Sequence, residues 1–306
     1  MTEAIHMQGV IKHFPNQIAL NGIDWIVPQG TIHGLIGANG SGKTTLLRLA
    51  LGLLWPDSGE ISIMGQPFSR DDASLRQRVH YVGTGTSKIP PMRVNEWVRY
   101  ASLLYERWDA KRCARLLSIL EISSKAYIGR LSLGTETQLQ LLVAISARPD
   151  LLLMDEPTNG LDAVVKRQVL QLIIDMAAQE GTTVVMASHA IEDIERLADT
   201  LAVLYRGRFT IKGDVDTIKA QFHRVQAVLN RPLPETVKKH PQLLHVEQRG
   251  HIAVLTFEGN QAFFLQQLQN VGATHLEPIA MDLTDVFRCL MEKEGYTRDS
   301  LTLKSL

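Results

Sequence analysis

The sequence has very little cysteine and no net charge. Its 306 residues include only two cysteines, Cys113 and Cys289, and no metal-ligand pattern surrounds either one. A disulfide framework is therefore excluded, and a reducing, cytosolic environment is the simplest expectation. Lysine and arginine total 32, and aspartate and glutamate also total 32. This balance gives no bulk attraction to nucleic acid or anionic lipid and leaves open only a local basic patch, so no nucleic-acid partner is predicted.

Long apolar segments are also absent. Apolar runs such as residues 141–145 are far shorter than the roughly 18 residues that a membrane-spanning helix needs. The first 14 residues lack the basic start and the apolar run of a secretion signal. The chain is therefore not expected to cross a membrane by itself. Hydrophobic residues make up 45% and charged residues 21%, which excludes a disordered or fibrous chain.

Strand and helix patterns alternate along residues 1–215. Strands are predicted at residues 31–36, 79–82, 151–154 and 182–187. Helical periodicity is found at residues 44–54, 95–122, 134–147 and 164–178. Apolar strands that alternate with helices indicate a parallel sheet covered on both faces. The remaining chain indicates a small α+β unit, with strands at 225–229, 244–246 and 251–257 and helices at 262–271 and 283–291.

Residues 37–44, GANGSGKT, carry the most specific chemistry. They fit the pattern G-x-x-x-x-G-K-[ST] and lie between a predicted strand and a predicted helix, as a phosphate-binding loop requires. Glycines let successive backbone N–H groups face an anion, Lys43 can reach the β- and γ-phosphates, and the Thr44 hydroxyl can bind Mg²⁺. The alternative, a glycine-rich turn with a solvated lysine, is much rarer in this context. The predicted nucleotide-binding residues here are Gly37, Asn39, Gly40, Ser41, Gly42, Lys43, Thr44 and Thr45.

Two adjacent acids follow the apolar strand at residues 151–154. Because ligands bind beyond the carboxyl ends of the strands in such a sheet, Asp155 is placed to coordinate Mg²⁺ together with Thr44. Glu156 could orient or activate an attacking water. The alternative is that the pair only caps a following helix, and the presence of a phosphate loop favours the catalytic interpretation.

The order of further motifs resembles that of the ATP-binding cassette (ABC) ATPases. Residues 131–135 (LSLGT) stand upstream of the acids, residues 159–162 (NGLD) follow them, and His189 lies 33 residues after Glu156. These positions resemble the signature segment, the D-loop and the switch histidine of the family. The resemblance covers about residues 3–215, and LLLMDEPTNGLD at residues 151–162 is nearly the family pattern. The chain is thus similar to the nucleotide-binding subunit of an ABC transporter.

The resemblance implies a role for each matching residue. Phe14 matches the aromatic residue that stacks on adenine, with a core position as the alternative. Ser132 and Gly134 match the signature residues that meet the γ-phosphate bound by the opposite subunit. Asp162 matches the acid that couples the two sites across the dimer, with a surface helix cap as the alternative. His189 matches the γ-phosphate sensor, whose alternative is a structural histidine. The implied catalytic residues are Glu156, His189 and Lys43.

Departures from the family pattern bear on activity. Leu133 and Thr135 replace the usual residues of the signature segment, whereas the two residues with the clearest phosphate contacts are kept. Thr84 stands where the family usually has a glutamine that contacts Mg²⁺ and water and relays motion to the membrane subunit. Because threonine has a shorter reach, the resemblance implies slow turnover or a rebuilt loop at residues 83–88.

The family also implies an architecture. The expected fold is α/β: a P-loop NTPase core with a parallel sheet, an antiparallel β subdomain and a helical subdomain at about residues 86–148. A small C-terminal α+β accessory domain is expected to follow. The predicted bounds are 1–218 for the ATPase domain and 219–306 for the accessory domain. Residues 281–287 (MDLTDVF) resemble a segment near the C-terminus of many exporter-type members.

Cofactors and partners follow from the same resemblance. It implies ATP and Mg²⁺, a separate transmembrane permease subunit, a homodimer or heterodimer of ATPase subunits, and a peripheral location at the cytoplasmic, inner face of the cell membrane. A permease would dock near an apolar surface formed by Pro90, Pro91, Met92, Trp97 and Tyr100, unless these side chains belong to the core.

Three interpretations of function stay open at this point. The first is an ATPase subunit that powers an ABC exporter. The second is a soluble ABC ATPase that acts on ribosomes or DNA, which a single cassette without sustained heptads disfavours. The third is a nucleotide-dependent regulatory module with weak hydrolysis, which Thr84 keeps open. A P-loop kinase would leave LSLGT, the D-loop and His189 unexplained.

Overall fold

A computed structural model describes residues 2–67, 73–83 and 92–293. Thr84, Pro90 and Pro91 lie outside the described residues, so the predictions that rest on them are not addressed by the fold. The chain forms two compact units, of which the first ends at Lys212 and the second begins at Gly213. The functional domain bounds of 1–218 and 219–306 stay a prediction.

The elements up to Asp214 are numbered in chain order. The strands are β1 (Glu3–Phe14), β2 (Gln17–Pro28), β3 (Ile32–Ile36), β4 (Ser58–Ile63), β5 (Gln66–Pro67), β6 (Val79–Gly83), β7 (Leu151–Asp155), β8 (Thr183–Ser188), β9 (Thr200–Tyr205) and β10 (Arg208–Asp214). The α-helices are α1 (Lys43–Ala50), α2 (Ala73–Arg78), α3 (Val94–Leu104), α4 (Ala110–Ile119), α5 (Leu133–Ser146), α6 (Ala163–Glu180) and α7 (Ile191–Leu197), and a 3₁₀ turn spans Ile128–Arg130.

A six-stranded sheet has the order β10-β9-β3-β8-β7-β6, and the five strands from β9 to β6 run parallel. Strands β3, β7 and β8 are buried at every residue, which explains their lack of polar alternation. The predicted parallel sheet is therefore confirmed. The carboxyl ends of β3, β7 and β8 lead to the phosphate loop, to Glu156 and to His189, so the topology brings these motifs to one edge.

An antiparallel sheet has the order β2-β1-β4-β5, as the antiparallel subdomain predicted from the resemblance requires. Its buried residues, such as Trp25 and Ile61, share one core with Leu46 of α1 and with Leu153 and Val185 of the parallel sheet. This core holds α1, and with it the phosphate loop, in a fixed position between strands of both sheets.

The segment predicted as one helix at residues 95–122 is two helices. Helix α3 ends at Leu104, Tyr105 is extended, and the Asp109 side chain caps α4 by accepting from the Arg112 N–H. The break contains neither glycine nor proline. It is set by this cap and by tertiary packing, since the Asp109 N–H donates to the Ser146 carbonyl at 2.7 Å. Helix α1 is also shorter than predicted, because it ends at Ala50 rather than at residue 54.

The second unit is an antiparallel sheet with helices. Its elements are α8 (Val215–Lys219), β11 (Phe222–Leu229), α9 (Glu235–Lys238), β12 (Leu243–Arg249), β13 (Ile252–Glu258), α10 (Gln261–Asn270), β14 (Ala273–Ile279) and α11 (Leu283–Lys293). The strand order is β12-β13-β11-β14. Within the resembling segment 281–287, Asp285 binds the Arg224 guanidinium through two hydrogen bonds of 2.9 and 3.0 Å. The predicted α+β class of this unit is confirmed.

None of the helices in the described part of the chain combines the length and the apolar composition that crossing a bilayer requires.

Candidate functional site

The phosphate loop connects β3 to α1 and depends on glycine at defined positions. Gly40 and Gly42 have φ angles of 78° and 113°, which side-chain-bearing residues rarely adopt. Gly37 is required by crowding, because a Cβ atom there would lie 2.4 Å from the Leu204 carbonyl oxygen and 2.5 Å from Ser41 Oγ. The loop ends at the N-terminus of α1, where unpaired N–H groups and the helix dipole favour an anion.

Two side chains of the loop, Lys43 and Ser41, are positioned to bind a phosphate. Lys43 is buried, and its Nζ donates to the carbonyl oxygens of Gly37 at 2.7 Å and Ala38 at 3.4 Å. Burial lowers the pKa of Lys43, while the carboxylates of Glu156 and Asp155 act in the opposite direction. Ser41 Oγ is buried without a hydrogen-bond partner, which is unfavourable unless a ligand supplies one. A phosphate oxygen would give Ser41 Oγ the partner it lacks and would give Lys43 an anionic acceptor.

A pair of oxygen ligands lies beside the loop. The Thr44 hydroxyl donates to Asp155 Oδ2 at 2.6 Å, which joins the first turn of α1 to the end of β7. The Tyr81 hydroxyl, in β6, donates to the same carboxylate oxygen at 3.4 Å. Burial and the charge of Asp155 raise the pKa of Tyr81, so the phenol keeps its proton and donates. A hydroxyl and a carboxylate are hard ligands that suit Mg²⁺, which commonly takes one or two protein ligands and completes its shell with phosphates and water.

Glu156 and His189 form a second pair at the same edge of the sheet. Glu156 Oε2 lies 2.7 Å from His189 Nδ1, and it also accepts from the backbone N–H of His189 at 3.3 Å and from Ser188 Oγ at 3.4 Å. Glu156 Oε1 is buried without a partner. The His189 side chain is 57% exposed, which excludes the alternative of a buried structural histidine. Neither Asp155 nor Glu156 caps a helix, because Asp162 caps α6.

The residues of the signature segment and the D-loop form a separate group. Ser132 caps α5 by accepting from the Thr135 N–H at 3.1 Å, and a Cβ at Gly134 would lie 3.4 Å from the Gly160 carbonyl oxygen. Asp162 accepts from the N–H groups of Val164 and Val165 at 2.9 and 3.0 Å. The cap predicted as its alternative role is therefore present.

The remaining predicted residues lie around the loop. Phe14 ends β1 in the antiparallel sheet and is 37% exposed, which excludes the core alternative. Asn39 is exposed and Thr45 is half-buried in α1. On the helical subdomain, Trp97 is half-buried, while Tyr100 is exposed and stacks on it with ring centroids 5.7 Å apart.

Sequence reasoning missed residues whose role depends on strand pairing. Tyr81 reaches Asp155 because β6 lies beside β7, and Ser188 reaches Glu156 because β8 lies on the other side. Tyr81 follows His80 in a short strand and Ser188 ends an apolar strand, so the sequence carries no signal that singles out either residue. The buried acid Asp193 was also missed, as nothing distinguishes it from its acidic neighbours in α7.

Comparisons with known proteins agree with this geometry. Residues 20–159 match the family described as ABC transporter. The ABC transporter ATP-binding protein YtrB of Bacillus subtilis (strain 168) is 32% identical over 222 residues, which cover 72% of this chain and 76% of YtrB. The Nod factor export ATP-binding protein I of Burkholderia orbicola (strain AU 1054) is 34% identical over 215 residues, or 68% of this chain and 70% of that protein.

Solved structures extend the comparison to the fold. A structure described as the ATP binding subunit of an ABC transporter superposes with a TM-score of 0.65 at 25% sequence identity. The match covers 71% of this chain and 92% of the other. The similarity therefore extends far beyond the short motifs that carry the chemistry.

Proposed function

Because the chain belongs to the ATP-binding proteins of ABC transporters, we propose that it binds ATP with Mg²⁺ and hydrolyses it to power a separate transmembrane permease. One observation carries this proposal. The pair Thr44–Asp155, at 2.6 Å, and the pair Glu156–His189, at 2.7 Å, lie at the edge of the sheet where Lys43 begins α1. Nucleotide binding alone would not require the second pair.

Each group has a defined part in binding. The exposed ring of Phe14 stacks on the adenine, and Lys43 and the unpaired Ser41 hydroxyl bind phosphate oxygens. Thr44 and Asp155 hold the Mg²⁺ ion. The metal, when bound, neutralises charge on the phosphate oxygens.

Hydrolysis requires a base beside the γ-phosphate, and Glu156 is placed to provide it. Its carboxylate accepts a proton from water as the water oxygen bonds to the γ-phosphorus. The bond from that phosphorus to the β–γ bridging oxygen breaks, which yields ADP and phosphate. His189 holds Oε2 of Glu156 at 2.7 Å and so orients the carboxylate that takes the proton. Lys43 stabilises the charge on the transferred phosphoryl group.

The signature residues act on a second subunit. Ser132 caps α5 in its own chain, Gly134 lies near the Gly160 carbonyl, and α5 starts at an end whose dipole favours an anion. We therefore assign them to the γ-phosphate held by a partner copy in a head-to-tail dimer, with Asp162 at the contact between the two sites.

Export from the inner face of the cell membrane is the proposed direction of transport. It is supported by the likeness to a relative named for Nod factor export and by the segment at residues 281–287. The permease would dock on the helical subdomain, beside Met92, Trp97 and the exposed Tyr100.

Phosphate release from the purified chain tests the proposal. Wild type should hydrolyse ATP only with Mg²⁺, and Glu156→Gln should lower kcat by about a hundredfold or more, the usual contribution of a general base. Lys43→Ala should instead abolish ATP binding, and Glu121→Gln, an exposed glutamate outside the site, serves as the control. Binding of ATP without turnover in wild type would contradict the proposal and favour the regulatory module that Thr84 keeps open.

A further inference from the structure

Asp193 is a buried acid that the chemistry above does not use. It lies in α7 and is 3% exposed. Its Oδ2 atom accepts from the Thr158 hydroxyl at 2.9 Å and lies 2.9 Å from Lys166 Nζ, while Oδ1 lies 3.3 Å from the same nitrogen. A buried carboxylate is unfavourable without such partners, so these contacts are tightly constrained.

Asp193 and its two partners come from three different segments. Thr158 lies in the loop after β7, two residues beyond Glu156, and Lys166 lies in α6. Asp193 lies four residues beyond His189. The segment that carries Glu156 and the segment that carries His189 are therefore joined twice, once in the site at Glu156–His189 and once in the interior at Thr158–Asp193.

The interior contact is the one that can fix the geometry. The His189 side chain is 57% exposed, and an exposed polar contact contributes little by itself in water. Its position depends on the backbone that carries it, and that backbone leads directly into α7. Ser188 Oγ, which donates to Glu156 Oε2 at 3.4 Å, also accepts from the Ala190 N–H at 3.0 Å, so the link continues to the start of the helix.

We propose that Asp193 is a positioning residue for ATP hydrolysis, which holds the start of α7 against Thr158 and Lys166 so that His189 meets Glu156. The inference rests on the proposed function. Asp193 touches neither nucleotide nor water in this scheme and acts through His189 alone.

Kinetics of matched variants test the role. Asp193→Asn and Thr158→Val should lower kcat by roughly tenfold to a hundredfold, the scale of a small misplacement in a site, with the KM for ATP nearly unchanged. Thr158→Ser keeps the hydroxyl and should retain most of the activity. Asp150→Asn is the control, because Asp150 likewise forms ion pairs, with Arg78 and Arg107, but precedes β7 at the end opposite Glu156.

A double-mutant cycle separates positioning from general stability. In a His189→Ala background, Asp193→Asn should have no further effect on kcat, because the residue acts through the missing side chain. An equal further fall in that background would overturn the proposal. If all four single variants keep the activity of wild type, the proposal is overturned as well, whereas the proposed function stands.

A spectroscopic readout does not depend on turnover. The imidazole NMR signal of His189, identified by its loss in His189→Ala, should shift in Asp193→Asn and Thr158→Val and stay in place in Asp150→Asn. An unmoved signal in both interior variants would contradict the inference. If wild type does not hydrolyse ATP but the NMR signal shifts as expected in the two interior variants, only the proposed function is contradicted.

Discussion

Glu156 lies at a backbone position that few side chains occupy. Its φ angle is 55°, in the left-handed region, and such a position costs on the order of 1–3 kcal/mol. Two backbone hydrogen bonds hold it there, from the Glu156 N–H to the Ala187 carbonyl at 2.9 Å and from the Asn159 N–H to the Glu156 carbonyl at 3.2 Å. The strained turn directs the carboxylate to His189, which is consistent with a catalytic role.

Phe14 is expected to bind the base and to contribute little to folding. Phe14→Ala should weaken ATP binding by about 1–3 kcal/mol, the usual value of stacking a base on an aromatic ring. GTP binding should weaken similarly, because stacking tolerates different bases, and Phe14→Tyr should bind as wild type does. Calorimetric titration measures these affinities. Ile18→Ala, an exposed side chain on the paired strand, is the control, and equal affinities for Phe14→Ala and wild type would refute the assignment.

Thr84 is expected to limit turnover, although it lies outside the described residues. The family usually has a glutamine here that contacts Mg²⁺ and water, and the threonine side chain is shorter by about two bonds, so we expect one positioning hydrogen bond to be missing. Thr84→Gln should therefore raise kcat several-fold with little change in ATP affinity, as steady-state phosphate release can show. Unchanged turnover, with near-zero turnover in Glu156→Gln, would mean that another group already fills the role.

At the scale of elements, strand β3 carries a buried histidine. His33 Nε2 accepts from Trp25 Nε1 at 3.0 Å, so Nδ1 carries the proton and donates to Thr200 Oγ1 at 2.7 Å. Burial lowers the pKa of His33 from 6.5 to about 3. The folded chain thus keeps this imidazole neutral at pH values where the unfolded chain binds a proton. The stability of the contact between the two sheets at His33 therefore depends on pH.

This shift predicts how stability depends on pH. The favourable contribution is complete above pH 6.5 and is lost as the pH falls toward 3, because only the unfolded state gains the proton. The loss from this one group is about 1.4 kcal/mol for each pH unit below 6.5. Urea unfolding at pH 7 and pH 5 measures it, and His33→Gln, which cannot titrate, should lose less stability than wild type. Parallel losses in the two proteins would contradict the prediction.

The strands and helices differ in how well the sequence predicts them. Strands β7 and β8 were predicted nearly to their ends, because a short apolar run between two helical segments is typical of a strand buried on both faces. Strand β14 was missed, since it is a mostly exposed edge strand with a proline at position 278. The break between α3 and α4 was missed because it depends on the packing of Asp109 against Ser146, far along the chain.

The residues of the candidate site also differ in how well the sequence predicts them. Lys43, Thr44 and Asp155 could be predicted, because a phosphate loop and a strand-terminal acid are local patterns whose chemistry is set by spacing. Tyr81 and Asp193 could not, since each acquires its role from a partner on a different segment, Asp155 in one case and Thr158 in the other.

On the scale of the whole molecule, we expect a second subunit to complete the candidate site. Ser132 caps its own helix, and Gly134 lies near the Gly160 carbonyl. Beside them, Leu133 is 82% exposed, and Val164 in the first turn of α6 is 69% exposed. Large exposed apolar side chains next to the signature segment and the D-loop suit a surface that is covered when two copies meet.

The dimer is the central claim, and sedimentation velocity of Glu156→Gln with ATP and Mg²⁺ tests it most directly. Because this variant should bind ATP without hydrolysing it, the bound nucleotide should join Lys43 of one copy to Ser132 of the other and hold the dimer. The account predicts a dimer with ATP, monomer without it, and monomer when Lys43→Ala is added. A Glu156→Gln protein that binds ATP and stays entirely monomeric would contradict symmetric self-pairing.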